Sequence, residues 1–291
     1  MKIAVFMSLY NESHLIEHTL DSMLGNTKHE CDVYVYLSGS RFFPQNLTRL
    51  KEIINLKKNY QLIITGDGEQ IRNAPVWGTN DILHEVYENQ NYDMLVGGAP
   101  DYLFYDRYNG FDSFVDQATP YLDNKYTISC LDEEGSNVRW ACIIYTKKML
   151  NEVGYLDPNF VPMNNSDSDL HRRCLITYSP ERDLEYYNSG DNYTNPPYGV
   201  NIVVPSCNLS YGNYGARGSD LTHFLLINTF NMLNHSYYVA KWGGSNTDQA
   251  MREKYIMPFN DPEIPLKISY EQATAFNSKY DRHDVEICSI I

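Results

Sequence analysis

The sequence has no run of 18 or more apolar residues, the length a helix needs to cross a bilayer. Met1 leads directly into a short apolar stretch, with no basic leader, long hydrophobic segment or small-residue cleavage site. A soluble, cytoplasmic protein with no transmembrane segment is therefore expected. The six cysteines (Cys31, Cys130, Cys142, Cys174, Cys207, Cys288) contain no C-x-x-C pair. That argues against a zinc knuckle and a disulfide framework and leaves reduced, mostly buried thiols. Basic residues are scarce: 23 Lys and Arg against 37 Asp and Glu give a net charge of −14. Duplex binding relies on counterion release from phosphates, so no nucleic-acid partner is expected, and any anionic ligand needs local neutralisation. G-x-G-x-x-G is missing, because Gly66-Asp67-Gly68 runs on to Ile71 where the third glycine would stand. A Walker A sequence and a G-x-S-x-G elbow are missing too, which removes the usual signatures of a dinucleotide site, a P-loop and an α/β-hydrolase.

With 43% hydrophobic residues over 291 positions, the chain can build one large or two modest cores. Six N-x-S/T sequons begin at Asn11, Asn46, Asn164, Asn192, Asn208 and Asn234, and without a secretory route they read as chance. The 25 tyrosines suit stacking on sugars or bases, although half-buried core positions are their commoner use.

Periodicity organises the first half. Lys2 to Leu9 is a short apolar run that reads as a strand buried on both faces. Leu15, Ile16, Leu20, Met23 and Leu24 form a helical face, with Asn11 and Ser13 able to cap and Gly25 as the stop. A strand over Asp32 to Leu37, a helix marked by Leu47, Leu50, Ile53 and Ile54, and a strand over Leu62 to Thr65 come next. A helix through Ile82, Leu83, Val86 and Tyr87 and a strand over Met94 to Val96 complete a β-α-β-α-β-α-β series. Such alternation implies right-handed crossovers and a mostly parallel sheet. Its ligands bind at the carboxyl ends of the strands, near the switch point. After a loop rich in Asp and Tyr, strands are expected over Tyr126 to Leu131 and Trp140 to Thr146, then a short helix from Lys147 to Val153. Past Gly154 the pattern loosens, with a polar loop from Tyr186 to Tyr198. A helix capped by Ser219, carrying Leu221, Phe224, Leu225, Asn228 and Met232, runs up to Tyr237-Tyr238-Val239-Ala240-Lys241-Trp242-Gly243-Gly244. The tail has no clear period and is expected to wrap the body.

Three groups could carry chemistry. Asp101, in Val96-Gly97-Gly98-Ala99-Pro100-Asp101, follows the fourth strand, where a carboxylate can hold Mg²⁺ or Mn²⁺ and leave the other positions to water and phosphate. The competing reading is a turn-forming Asp. In Ser166-Asp167-Ser168-Asp169-Leu170-His171-Arg172-Arg173 two carboxylates open a helix, either as caps that complement its dipole or as a general base for an acceptor hydroxyl. Lys241 joins a cation to a flat aromatic and two glycines, a set that could meet phosphate oxygens, although a solvated Lys beside a core Trp is commoner. His14, His171 and His223 lack H-x-x-x-H spacing, and His223 is kept as a second metal candidate.

Taken in order, these pieces resemble a family-2 glycosyltransferase of the GT-A fold. Ser8-Leu9-Tyr10-Asn11-Glu12 is similar to the family's P-x-Y-N-E, Tyr36-Leu37-Ser38-Gly39-Ser40 stands where V-D-D-G-S is usual, and Ala99-Pro100-Asp101 where D-x-D or N-x-D is usual. Val153-Gly154-Tyr155-Leu156-Asp157-Pro158-Asn159-Phe160 is similar to V-G-x-F-D-x-x-F, and Ser166 to Arg173 to E-D-x-D-L-x-x-R. The resemblance covers residues 1 to 180 best. It implies a nucleotide-diphospho-sugar transferase on a mixed, mostly parallel sheet flanked by helices. Residues 1–215 would form the catalytic domain, divided into a nucleotide-sugar half, about 1–105, and an acceptor half, about 106–215. Residues 216–291 would be a helical extension packed on it. Tyr10, Asn11 and Glu12 would border the nucleotide, with Ser38, Asn80 and Lys241 as further donor contacts. Asp101 would hold Mn²⁺ or Mg²⁺, and Asp167 would be the base of an inverting transfer, with Asp169 as the other candidate.

The function expected is an inverting, hexosyltransferase-like glycosyltransferase. It would pass a sugar from a nucleoside-diphosphate donor, UDP-sugar favoured, to a hydroxyl on a glycan, protein or lipid-linked acceptor. Two alternatives stay open: a catalytically silent sugar- or nucleotide-binding protein on a transferase fold, and a sugar nucleotidyltransferase. The first draws on Leu37, Ser38 and Ala99 where the family has acids; the second lacks a Gly-rich basic loop after the first strand.

Overall fold

The computed structural model describes residues 1–9, 13–37, 48, 51–52, 60–65, 74–105, 109–132, 141–160, 165–178, 196–208, 221–242 and 266–274. Nine strands are described: β1 (Lys2–Leu9), β2 (Glu30–Leu37), β3 (Tyr60–Thr65), β4 (Met94–Gly98), β5 (Tyr102–Phe104), β6 (Thr127–Leu131), β7 (Cys142–Tyr145), β8 (Gly199–Val203) and β9 (Ser206–Asn208). The described helices are α1 (Ser13–Leu24), α2 (Ala74–His84), α3 (Gly110–Ala118), α4 (Lys147–Glu152), α5 (Ser166–Tyr178), α6 (Leu221–Trp242) and α7 (Tyr270–Ala273). One wider turn, Glu85–Asn89, prolongs α2.

Seven strands form one sheet in the order β3-β2-β1-β4-β7-β6-β8, and β5 pairs with β9 apart from it. The β1–β2, β1–β4, β2–β3 and β6–β8 pairs are parallel, while β7 runs against both β4 and β6. This is the mixed, mostly parallel α/β sheet that the alternation of strands and helices predicts. Period-2 alternation along β1 feeds two cores. Ile3, Val5 and Met7 pack with Ile16, Leu20 and Met23 of α1 and Phe111, Phe114 and Val115 of α3. Ala4 and Phe6 face the other way, towards Leu83 of α2, Leu150 of α4, Leu170 and Cys174 of α5 and Trp242 of α6. Helices therefore cover both faces. Because β2 and β3 lie on one side of β1 and β4 on the other, the switch point falls between β1 and β4.

The structure corrects the sequence reading in the second half. The Asp- and Tyr-rich segment expected to be a loop contains β5 and α3, the latter burying Phe111, Phe114, Val115 and Ala118 at helical spacing. Two strands, β8 and β9, stand where the pattern loosens. The last long helix continues to Trp242, so Tyr237, Tyr238 and Lys241 are helical. Met232, assigned to that helix's apolar set, is 75% exposed. The helix expected around Leu47 to Ile54 lies outside the described residues except at 48, 51 and 52, which are helical. Gly154, at φ +80°, makes a parallel bridge with Ile268 and brings residues 266–274 onto the body. No helix among the described residues is long and apolar enough to cross a membrane. The five described cysteines are free thiols, four of them buried.

Candidate functional site

In sheets of this kind ligands bind beyond the carboxyl ends of the strands at the switch point, which here falls between β1 and β4. Tyr10, Asn11, Glu12 and Ser38 lie outside the described residues. After β4, the Tyr102 amide donates to the Ala99 carbonyl at 3.1 Å, closing a β-turn with Pro100 second and Asp101 third, which suits the fixed φ of proline. Two bonds fasten this turn. The Ala99 amide donates to the Ala141 carbonyl at 2.6 Å, and the fully buried Thr19 of α1 donates its hydroxyl to the Pro100 carbonyl. Ser22, one turn along α1, accepts from the Phe104 amide at 3.1 Å. α1 thus holds the segment from 100 to 104, with Asp101 buried to 7% exposure.

The second part of the site is the first turn of α5. Asn165 enters it at φ +61°, a left-handed conformation that Asn tolerates, and its carbonyl accepts from the Asp169 amide at 2.9 Å. Asp167 is half-buried, and its Oδ1 accepts from the Ser168 amide at 2.9 Å. Burial raises its pKa above the ordinary carboxylate value, opposed by hydrogen bonds from the Ser168 amide and its own. The Asp167 charge also helps burial push the Tyr145 phenol up. The Tyr145 ring belongs to β7 and lies against Gly97 of β4, where an added Cβ would meet it at 3.2 Å.

Asp169, two residues further on, sits in different surroundings. It is fully buried, and its Oδ2 accepts from Arg173 Nε at 2.9 Å. Its Oδ1 meets Trp242 Nε1 at 2.9 Å and Lys241 Nζ at 2.6 Å. Lys241 Nζ also donates to Asp157 Oδ2 at 2.5 Å, and Tyr237 donates to the same oxygen at 3.0 Å. Asp157 Oδ1 accepts from the Asn159 amide and side chain at 2.9 and 2.8 Å. Burial alone would raise the Asp157 pKa; the Lys241 ammonium, the Asn159 amide and the Arg173 charge together outweigh it and hold that carboxyl below its ordinary value.

The sequence-derived candidates therefore separate. Lys241, 3% exposed, is engaged by two carboxylates rather than facing the sheet edge alone. Asn80 of α2 is fully buried and bonds the Leu156 backbone at both ends: Nδ2 donates to the carbonyl at 3.0 Å and Oδ1 accepts from the amide at 2.8 Å. The His223 side chain lies outside the described set, although its backbone belongs to α6. Among the described residues no three His, Cys, Asp or Glu side chains converge to hold a metal. Sequence reasoning missed Asp157 and Trp242 as partners in this cluster. Asp157-Pro158-Asn159 carries a local signal, the turn that an Asp side chain makes with the amide two residues on, but nothing in it points to Lys241.

No family model and no curated protein matches the chain. Solved structures similar to it include a mannosyltransferase from Pyrobaculum calidifontis in complex with GDP-Man and Mn²⁺, at 15% identity and TM-score 0.48, covering 70% of this chain and 56% of that one. This chain thus spans just over half the length of the mannosyltransferase. Glucosyl-3-phosphoglycerate synthase from Mycobacterium tuberculosis, in complex with phosphoglyceric acid, aligns at 11% identity and TM-score 0.46 over 84% and 81% of the two chains. Residues 1–349 of S. aureus TarS, in complex with UDP, align at 13% identity and TM-score 0.43 over 87% and 69%.

Proposed function

We propose that the protein is a GT-A-type glycosyltransferase that moves a sugar, with inversion, from a nucleoside-diphosphate donor to a hydroxyl. UDP-sugars are the first donors to try, and the acceptor is a glycan, protein or lipid-linked alcohol. The observation that carries this reading is Asp101, a buried carboxylate in the turn after β4, beside the switch point where a phosphate-bearing ligand binds such a sheet. The motif resemblance of residues 1 to 180 supplies the reaction class.

Leaving-group charge is the main difficulty in displacing a nucleoside diphosphate, and a chain of net charge −14 does little to offset it. A single carboxylate, with Ala99 where the family has a second acid, fits a hard cation that brings most of its oxygen ligands with it as phosphate and water. Asp101 would hold Mn²⁺ or Mg²⁺, which when bound neutralises charge on the leaving diphosphate. Asp167 is the residue assigned to the acceptor. Its carboxylate takes the hydroxyl proton as the oxygen attacks the anomeric carbon from the face opposite the diphosphate, and inversion follows. Asp169, Lys241 and Asn80 have no substrate contact in this scheme, since their polar atoms are used inside the fold. Tyr10, Asn11, Glu12 and Ser38 border the nucleotide by the motif resemblance alone.

A thermal-shift panel of UDP, GDP, CDP, ADP and dTDP, each with and without Mn²⁺, tests the donor site. A ligand at about 100 times its Kd adds roughly 2.7 kcal/mol of stability. One nucleotide should give a metal-dependent shift that Asp101→Asn abolishes. A shift without sugar-nucleotide hydrolysis would favour the silent binding protein, for which Ala99 is the specific argument. No shift with any nucleotide overturns the proposal.

A further inference from the structure

The turn that carries Asp101 is pinned at both ends. Ala99, its first residue, donates its amide to the Ala141 carbonyl at 2.6 Å and accepts from the amide of Tyr102, its last, at 3.1 Å. The Tyr102 ring is 1% exposed, and its hydroxyl lies 2.7 Å from the Ser206 hydroxyl, so β5 starts from a fixed point. Between these ends stands the Pro100–Asp101 peptide. With its ends fixed, a β-turn can still rotate this central peptide: types I and II differ by about 150° in ψ of the second residue and about 170° in φ of the third. Among the described residues that bear a Cβ, only Asn91, Asn109 and Asn165 have a positive φ. Asp101 therefore has a negative φ, and together with the hydrogen bond from Tyr102 to Ala99 this makes the turn type I.

The local sequence leaves the other form within reach. Proline at the second position fixes only its own φ, which both types share, and Asp is one of the few residues with a Cβ that visit positive φ. The bond that separates the two forms comes from α1. Thr19, fully buried, donates its hydroxyl to the Pro100 carbonyl, the oxygen of the central peptide itself, across 81 positions of sequence. One turn further on, Ser22 donates to the Thr19 carbonyl at 2.8 Å and accepts from the Phe104 amide at 3.1 Å, a bond that lies outside the turn. A flip of the peptide would carry the Pro100 oxygen away from Thr19 and put Asp101 in the left-handed conformation.

We infer that Thr19 is a positioning residue for Asp101: its hydroxyl holds the Pro100–Asp101 peptide in one of two orientations and so sets the direction in which the Asp101 carboxylate leaves the turn. This rests on the reading of Asp101 as the metal ligand. The helix that follows β1 thereby sets a carboxylate that follows β4, the neighbour of β1 in the sheet.

The experiment follows the turn by NMR in the full chain labelled with ¹⁵N-Asp, the Asp101 amide being identified by its loss in Asp101→Asn. A strong nuclear Overhauser effect between the Pro100 α-proton and the Asp101 amide marks the flipped peptide, because those protons come close in type II and not in type I. Wild type should show it only weakly. Thr19→Val keeps the shape of the side chain and removes the donor. The effect should then strengthen, and Mn²⁺-dependent affinity for UDP, read by calorimetric titration, should fall roughly 2- to 10-fold, the equivalent of one hydrogen bond. Thr19→Ser keeps a hydroxyl and should restore both. Ser22→Ala is the control for general loosening: it removes the bond to Phe104 and should leave the turn as in wild type. The inference is overturned by an unchanged Overhauser effect in Thr19→Val, by the same strengthening in Ser22→Ala, by a flipped turn with unchanged UDP affinity, or by no restoration in Thr19→Ser. Should Thr19→Val fail to melt cooperatively, Thr19→Ala, which places no methyl against the carbonyl, decides by the same readings. Failure of the underlying reading looks different: wild type and Asp101→Asn would then respond alike to UDP with Mn²⁺, while Thr19→Val still flips the turn.

Discussion

Moving the Asp167 carboxyl out of water raises its pKa, and the amides of Ser168 and Asp167 recover only part of the lost hydration. A raised acid binds more protons in the native chain than in the unfolded one. Stability therefore falls as pH climbs from the ordinary carboxylate value through the raised one, and the penalty persists at neutral pH. Asp167→Asn removes that penalty and keeps an oxygen for the Ser168 amide. The variant should melt at a higher temperature than wild type at pH 7, while UDP-sugar hydrolysis falls by roughly 10²- to 10⁴-fold, the range of a lost general base. A lower melting temperature with turnover intact would mean that Asp167 is only a helix cap. Asp169 is the contrasting residue. The same residue type two places on has both oxygens occupied by Arg173, Trp242 and Lys241, and that division was invisible in the sequence. Asp157 and Lys241 stand 84 positions apart, beyond the reach of any local period.

Among the elements, the strands and helices of the first hundred residues were legible because β1, β2 and β4 bury apolar side chains on both faces and α1 shows one apolar stripe. α3 was hidden by Asp112, Ser113, Asp116 and Gln117, although Phe111, Phe114, Val115 and Ala118 hold the i, i+3, i+4, i+7 spacing. β8 is an edge strand with Val203 55% exposed, so neither alternation nor a continuous apolar run announces it. The tail's docking rests on Gly154. Its φ of +80° suits glycine, and a Cβ there would lie 2.0 Å from the Ile268 carbonyl oxygen. The Tyr155 amide donates to that same oxygen at 3.0 Å, and the Ile268 amide to Val153 at 3.2 Å. Further along, Tyr270 stacks on His84 of α2 with ring centres 3.7 Å apart. Gly154→Ala should cost about 1–3 kcal/mol in urea unfolding from backbone strain alone. It should also speed hydrogen exchange at the Tyr155 and Ile268 amides. Unchanged exchange would show that the bridge does not hold the tail.

Over the whole molecule, the described carboxylates pull the pH dependence of stability two ways. Asp157, held low against its burial by Lys241, the Asn159 amide and Arg173, contributes stability that is present above its unfolded pKa and lost as pH falls through the depressed value. Glu85 and Glu152 are lowered as well, chiefly by hydrogen bonds from Asn89 and Lys148, and act with the same sign. Asp81 is raised by burial, more than the Tyr270 hydroxyl bond lowers it, and so joins Asp167 in losing stability as pH rises through the elevated values. A net charge of −14 adds self-repulsion on the alkaline side. The melting temperature should therefore peak on the acid side of neutrality, drop steeply below about pH 4, where carboxylates protonate, and decline gently towards pH 7. Added salt separates the causes. Raising NaCl at pH 8 should increase the melting temperature by screening the exposed excess of negative charge, while leaving the acid-side loss in place, since buried pairs such as Asp157–Lys241 are screened little. Differential scanning fluorimetry from pH 3.5 to 8 at two salt concentrations reads both effects. A melting temperature that climbs steadily from pH 5 to 8 would mean that the elevated Asp81 and Asp167 carboxyls do not govern this range.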